Sequence, residues 1–255
     1  MKIATDVLNV LDQAEADGNA LRLVGQLDRK LYEQTNRVLV EAGGKWNRSA
    51  KAHLFTGSAA DAIEQIVLTG EVATRADFGY FPTPVSIVKQ LVDLADLRPG
   101  LEVLEPSAGQ GAISKALADA DCLVDCIELQ EANASVIYED GYARGLIVGD
   151  FLAMVHAETD SGYDRIIMNP PFAKQQDIRH VTHALGFLRP GGLLVAVMSN
   201  GVTFRQNQAT RDFNALLAAR GGRVVPLPDD AFRSSGTGVR TIVAVIPAVA
   251  KEATR

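Results

Sequence analysis

Cysteine is nearly missing from this 255-residue chain: Cys122 and Cys126 are the whole complement. They stand four apart on a predicted strand, so at ~3.3 Å per residue roughly 13 Å separates them, beyond disulfide reach. The fold must therefore rest on its core, for which a hydrophobic content of 47% is ample. No apolar run approaches the ~18 residues of a membrane span, and no signal-peptide pattern opens the chain. Both absences predict a cytoplasmic protein with no membrane partner. Positive charge is also short, with 25 basic residues against 31 acidic ones and a net charge of −6. Lys and Arg carry phosphate binding, so the balance weighs against a nucleic-acid partner. The distribution weighs the other way. Residues 43–55 hold Lys45, Arg48, Lys51 and His53 with no acid, and Arg205, Arg211, Arg220, Arg223, Arg233 and Arg240 crowd the C-terminal third.

What is present centres on Asn169-Pro170-Pro171-Phe172, directly after Ile166-Ile167-Met168. The apolar run reads as a short buried strand, which the prolines end because proline cannot extend a sheet ladder. Proline also restricts the residue before it to extended conformations, so Asn169 is held at the strand's carboxyl end. As plain structure this is a turn, yet a turn needs neither the amide nor the aromatic. As chemistry it suits an exocyclic amine such as adenine N6, a poor nucleophile whose lone pair is delocalised into the ring. The Asn169 side-chain oxygen and the Pro170 carbonyl can accept its two N–H groups and localise that pair. Phe172 can stack on the base, a contact worth roughly 1–3 kcal/mol. The motif resembles the catalytic signature of the S-adenosylmethionine-dependent amino-methyltransferases, which act on adenine N6, cytosine N4 and, in one branch, a glutamine amide.

Upstream, the motif order is similar to that family's. Phe81-Pro82-Thr83-Pro84 opens a predicted helix bearing Ile87, Val88, Leu91, Val92 and Leu94, with Pro84 suited to its first turn. This entry resembles the segment that flanks the cofactor's methionine end in DNA adenine methyltransferases. Leu101 to Glu105 read as a strand running into Pro106-Ser107-Ala108-Gly109-Gln110-Gly111. Gly109 and Gly111 permit a tight turn and close approach to a ligand, and the helix from Ala112 presents its first N–H groups. By spacing alone the loop also nearly fits the dinucleotide fingerprint. Glu105 separates the two readings. An acid before the turn repels a pyrophosphate and suits the cationic amino and sulfonium groups of S-adenosylmethionine. The strand from Leu123 ends at Glu128, placed for ribose hydroxyls, with Leu129 in the same cofactor set. The strand from Leu146 ends at Asp150-Phe151, where the acid can accept from an adenine amine and the aromatic can pack near the ring. Each acid alone is open to a helix N-cap reading; three at successive strand ends point to a ligand.

Beyond the motif, residues 177–188 read as a helix, with His180 and His183 one turn apart as zinc ligands stand. No third ligand accompanies them, and no metal is expected. Lys174 and the polar stretch 199–208, with Phe204 and Arg205, read as substrate contacts. Phe232, followed by Arg233, falls where DNA amino-methyltransferases place a loop facing the flipped base; its alternative is loop packing. Arg189-Pro190-Gly191-Gly192 reads as a turn into a strand at Leu193, and Val239 to Ile246 as an antiparallel last strand. At the other end, Leu27, Leu31, Val38 and Leu39 mark a helix stopping at Gly43-Gly44. A basic hairpin follows with Trp46 on one arm, and Ser58 with Asp61 starts another helix. Lys45, Trp46, Arg48 and Lys51 are candidate nucleic-acid contacts, unless Trp46 and Phe55 form a small core.

The expected architecture is α/β: a Rossmann-like seven-stranded methyltransferase sheet with helices on both faces over 73–250, and a small α+β accessory module over 1–72. The resemblance implies an S-adenosylmethionine-dependent N6-adenine methyltransferase acting on a flipped-out base in DNA. Asn169, Pro170, Pro171 and Phe172 are its catalytic residues. RNA adenine or a protein glutamine are alternative acceptors, and a non-catalytic cofactor- or nucleic-acid-binding regulator is a different class. The intact motif beside intact cofactor acids argues against the regulator. DNA enzymes of this kind usually carry a large target-recognition domain, and few residues follow Ile246. Recognition is therefore expected from the N-terminal module, the loops or a protein partner.

Overall fold

Apolar residues at helical spacing and short polar caps divide the first seventy residues into α1 (Thr5–Asp12), β1 (Glu15–Asp17), β2 (Ala20–Arg22), α2 (Arg29–Glu41), β3 (Lys45–Asn47), β4 (Ala52–Leu54) and α3 (Ala59–Thr69). This is a computed structural model, and it describes residues 3–72, 81–156 and 161–249. The Asp28 side chain caps α2 by accepting the Leu31 N–H at 2.9 Å, and Ser58 caps α3 through the Asp61 N–H at 3.2 Å. The strands form an antiparallel sheet in the order β1-β2-β4-β3. Leu8, Leu11, Leu21, Leu39, Phe55 and Ile66 share one core beneath it. Phe55 is thus a core residue, whereas Trp46 stays 51% exposed. The expected hairpin and both expected helices are present. The β1–β2 hairpin and α1 are additions that the sequence reading did not anticipate.

The second sheet has seven strands: β5 (Glu102–Pro106), β6 (Leu123–Glu128), β7 (Gly145–Val148), β8 (Tyr163–Met168), β9 (Leu188–Ser199), β10 (Arg223–Pro226) and β11 (Thr241–Pro247). Their order is β10-β11-β9-β8-β5-β6-β7. Strands β5 to β9 run parallel, and β11 pairs antiparallel with both β9 and β10. Helices α4 (Val85–Leu94), α5 (Ala112–Ala118), α6 (Glu131–Asp140), α7 (Gln176–Ala184) and α8 (Gln208–Ala219) cover it. Successive strand residues face opposite sides, so Ile167 joins Val103, Val195 and Leu91 in one core while Ile166 and Met168 join Leu104, Val181 and Phe213 in the other. This is the Rossmann-like methyltransferase fold expected.

Two boundaries differ from expectation by four residues or more, and the rest by fewer. Strand β9 begins at Leu188, and Arg189 to Gly192 form an irregularity inside it. The register with β8 moves from Tyr163–Leu188 to Arg165–Leu193 there. Helix α7 ends at Ala184, and a 3-10 turn (Leu185–Phe187) leads out of it. Both cysteines are free and buried. Among the described residues no helix is long and apolar enough to cross a membrane.

Candidate active site

The chain passes from β5 outward to β7 and returns on the other side at β8, so the carboxyl ends of β5 and β8 flank the point where the strand order reverses. A crevice at that point is where open α/β sheets bind ligands. Here it is a cavity of about 430 Å³, whose lining includes the carboxylates of Glu105, Glu128 and Asp150. A volume of this size suits a nucleoside-sized ligand.

Glu105 is the penultimate residue of β5 and is buried, accepting a hydrogen bond from the Ser114 hydroxyl. Burial pushes its carboxyl up to about 8 against the opposing effect of Ser114. The loop after it alternates through left-handed backbone at Ser107, Gly109 and Gly111. Gly111 is required for a reason other than ligand approach. At φ +78° a Cβ would lie 1.7 Å from the Tyr142 hydroxyl, which itself donates to the Gln110 carbonyl. The Gly109 N–H donates to Glu128 at 2.7 Å, and the other Glu128 oxygen accepts from the Gln130 N–H at 2.9 Å and the Asn133 amide at 3.4 Å. These bonds fix the carboxylate in place and leave it part of its acceptor capacity. Asp150 caps the 3-10 turn Phe151–Ala153 through the Leu152 N–H at 2.9 Å and also lines the cavity, so its two readings coexist.

Asn169 and Thr83 carry the other wall. The Asn169 Nδ2 donates to Thr83 Oγ1 at 3.0 Å, which leaves the buried Oδ1 without a partner among the described residues. A buried acceptor left unpaired is costly unless a ligand supplies the donor. Pro170, Pro171 and Phe172 continue the lining, together with Phe81, Ser107, Ala108 and Leu129. Pro84 stands apart from it: its carbonyl starts α4 by accepting from Ile87 and Val88. Pro106, Gly109 and Gly111 likewise shape the loop rather than face the cavity.

Sequence reasoning missed Asn133, Gln176, Arg179 and His180, all of which line the cavity. The signal was available for the last three, since positions i, i+3 and i+4 share one face of α7. Burial lowers His180 to about 4, and its Nδ1 lies 3.2 Å from the Ser107 hydroxyl. His180 and His183 both pack on Phe151, at 6.0 and 4.8 Å between ring centres, and His183 and Phe151 also pack on Phe187. With His180 held neutral, Arg179 is, among the described residues, the one cation of the lining, and it faces Glu128 and Asp150 beside the protonated Glu105. That balance suits a cationic ligand and repels a pyrophosphate.

Several predicted substrate contacts lie elsewhere. Arg205 is buried and ion-paired with Asp12 at 3.3 Å and Glu64 at 3.2 Å, so its charge is spent inside the protein. Phe204 packs against the core of the N-terminal segment. Phe232 is 0% exposed and stands edge-on behind Phe172, 6.2 Å between centres, which makes it a support for that ring and not a second open wall. Lys174 and Arg233 are exposed outside the lining. Ser235, two residues after Arg233, donates to the Pro82 carbonyl at 2.6 Å and ties that loop to the mouth. Lys45, Trp46, Arg48 and Lys51 are exposed on the hairpin, with Trp46 tilted on His53 at 5.1 Å.

The family model described as methyltransferase small domain matches residues 89–219, just over half of the chain. No curated protein matches it in sequence. Among solved structures, a modification subunit described as part of a type I restriction enzyme of Vibrio vulnificus is 17% identical with a TM-score of 0.56, over 90% of this chain and 55% of its own. A protein of Listeria monocytogenes described as a class I S-adenosylmethionine-dependent methyltransferase is 13% identical with a TM-score of 0.53, over 98% and 81%. TrmN from Thermus thermophilus is 22% identical with a TM-score of 0.47, over 65% and 49%. The chain thus spans about half the length of the Thermus and Vibrio proteins. The Vibrio and Listeria likenesses show the fold, and the family match covers the strands and loops that build the cavity from β5 through β9. The chain belongs to the methyltransferase small domain family.

Proposed function

We propose that the protein transfers a methyl group to the N6 amine of adenine in DNA, on a base turned out of the duplex. At the coarser level it is an S-adenosylmethionine-dependent methyltransferase, and S-adenosyl-L-methionine is its cofactor. Its sulfonium supplies an electrophilic methyl group. Glu105 would hold the amino end, Glu128 the ribose and Asp150 with Leu129 the adenine, in line with the acid-rich lining.

The observation that carries the acceptor assignment is the Asn169 amide. Thr83 takes its N–H, so the free oxygen is the atom presented to a ligand donor. An amide oxygen and the Pro170 carbonyl accept the two N–H groups of an exocyclic amine and leave its lone pair for the methyl. Phe172, braced by Phe232, stacks on the base and offsets the few kcal/mol of unstacking. Residues 73–250 act as the methyltransferase domain and 1–72 as an accessory module. Lys45, Trp46, Arg48 and Lys51 on the module, with Arg233 and Lys174 near the mouth, take the phosphates. The packing of Phe204 on the N-terminal core and the burial of Arg205 take two expected nucleic-acid contacts away and favour, as second reading, a smaller contact area: an adenine in RNA or a glutamine amide in protein.

Transfer of a tritiated methyl group to separate DNA, RNA and protein pools tests the assignment. Label in DNA is expected; label confined to RNA or protein selects the second reading, and label in none removes the enzyme assignment.

A further inference from the structure

Lys174 and Gln175, just past the catalytic motif, both stand in the left-handed region, at φ 55°, ψ 33° and φ 56°, ψ 32°. Residues with a Cβ avoid that conformation, and two in succession need outside support. The support comes partly from the first seventy residues. Glu64 on α3 accepts the Lys174 backbone N–H at 3.0 Å. Asn207 joins Asp12 on α1, at 3.4 Å, to the Gln175 side chain at 2.8 Å, and Gln175 also donates to Thr210 at 2.9 Å. Arg205 ties the two acids together, 3.2 Å from Glu64 and 3.3 Å from Asp12.

We infer that Glu64 is a positioning residue for the Asn169–Phe172 loop, so that the N-terminal segment completes the active site from behind. The inference rests on reading that loop as catalytic. Arg205 already has Asp12 as a counter-charge, so an interface that needed only charge balance has no use for the bond to Lys174. That bond fixes backbone two residues from Phe172. Losing it lets the left-handed pair relax and carries Phe172 and Asn169 with it.

Two conservative variants separate positioning from charge. Glu64→Asp keeps the charge for Arg205 and shortens the reach to Lys174. Glu64→Gln keeps the reach and an acceptor oxygen and drops the charge. Positioning predicts that Glu64→Asp speeds amide exchange over 173–176 and lowers kcat by about tenfold each, with S-adenosylhomocysteine affinity within about twofold. Glu64→Gln stays within about threefold of wild type in both exchange and kcat. The reverse order, with Glu64→Gln impaired and Glu64→Asp normal, makes Glu64 an interface charge and overturns the inference. Exchange needs no reaction. If wild type methylates nothing, faster exchange in Glu64→Asp still upholds positioning while the catalytic reading falls, and unchanged exchange sinks positioning alone.

Discussion

Thr83 and Asn169 lie far apart in sequence, and one 3.0 Å bond between them decides which amide atom faces the cavity. If Asn169 acts only on the acceptor amine, Asn169→Ala should abolish transfer while S-adenosylhomocysteine affinity stays within about twofold by calorimetry. A weakened cofactor with normal turnover would make Asn169 structural. Glu105 gives a prediction in pH. Its folded value of about 8 lies above the ordinary 4.5, so the folded chain holds an extra proton between them. That contribution to stability is full below about 4.5 and is lost as pH rises through about 8. Asp177, raised by burial to about 6, titrates below this range, while His180 and His53, both lowered from 6.5 by burial, favour folding as the unfolded imidazoles lose their protons. Urea unfolding between pH 6.5 and 8 should therefore show wild-type stability falling relative to that of Glu105→Gln, in which the histidine contribution is unchanged. Parallel profiles for the two proteins contradict the buried, protonated carboxyl. At this scale the sequence showed the site acids and Asn169 well, because each ends a strand whose apolar run is visible. Arg205 misled, since its partners Asp12 and Glu64 come from α1 and α3 and no local pattern records such a pairing.

Between elements, the loops divide into those that face the cavity and those that brace it. Phe232 braces: fully buried against Phe172, it should cost about 3–5 kcal/mol when changed to Ala, seen as a lower melting temperature. A variant that melts like wild type but loses turnover would return Phe232 to the acceptor side. The β3 arm and the turn of the hairpin face solvent, with Lys45, Arg48 and Lys51 in no ion pair among the described residues. Replacing all three by Ala should weaken DNA binding and flatten its salt dependence, because fewer counterions are released. Coincident slopes would remove the hairpin from the nucleic-acid interface. Helices and the hairpin were legible through apolar spacing, Ser58, and the Gly43-Gly44 stop. Strand β1 was not, because Glu15, Ala16 and Asp17 are all exposed and show no alternation. The irregularity in β9 hid behind Arg189-Pro190-Gly191-Gly192, whose turn chemistry is real but is absorbed within one strand.

For the whole molecule, the sheet order follows from elementary constraints: near-continuous apolar strands demand cover on both faces, and right-handed crossovers put the switch between β5 and β8. The placement of the first seventy residues did not follow, since much of the junction is made by polar side chains and single backbone groups: Glu64 on Lys174, Arg205 on Asp12 and Glu64, and the Arg240 N–H on the Leu68 carbonyl. The central claim is that this assembly methylates an exocyclic adenine amine. Incubating duplex DNA with enzyme and S-adenosylmethionine carrying a deuterated methyl, then analysing the nucleosides by mass spectrometry, tests it directly. Deuterated N6-methyldeoxyadenosine should form with wild type and be missing with Asn169→Ala. Label at any other nucleoside position, or equal yield from Asn169→Ala, would contradict it.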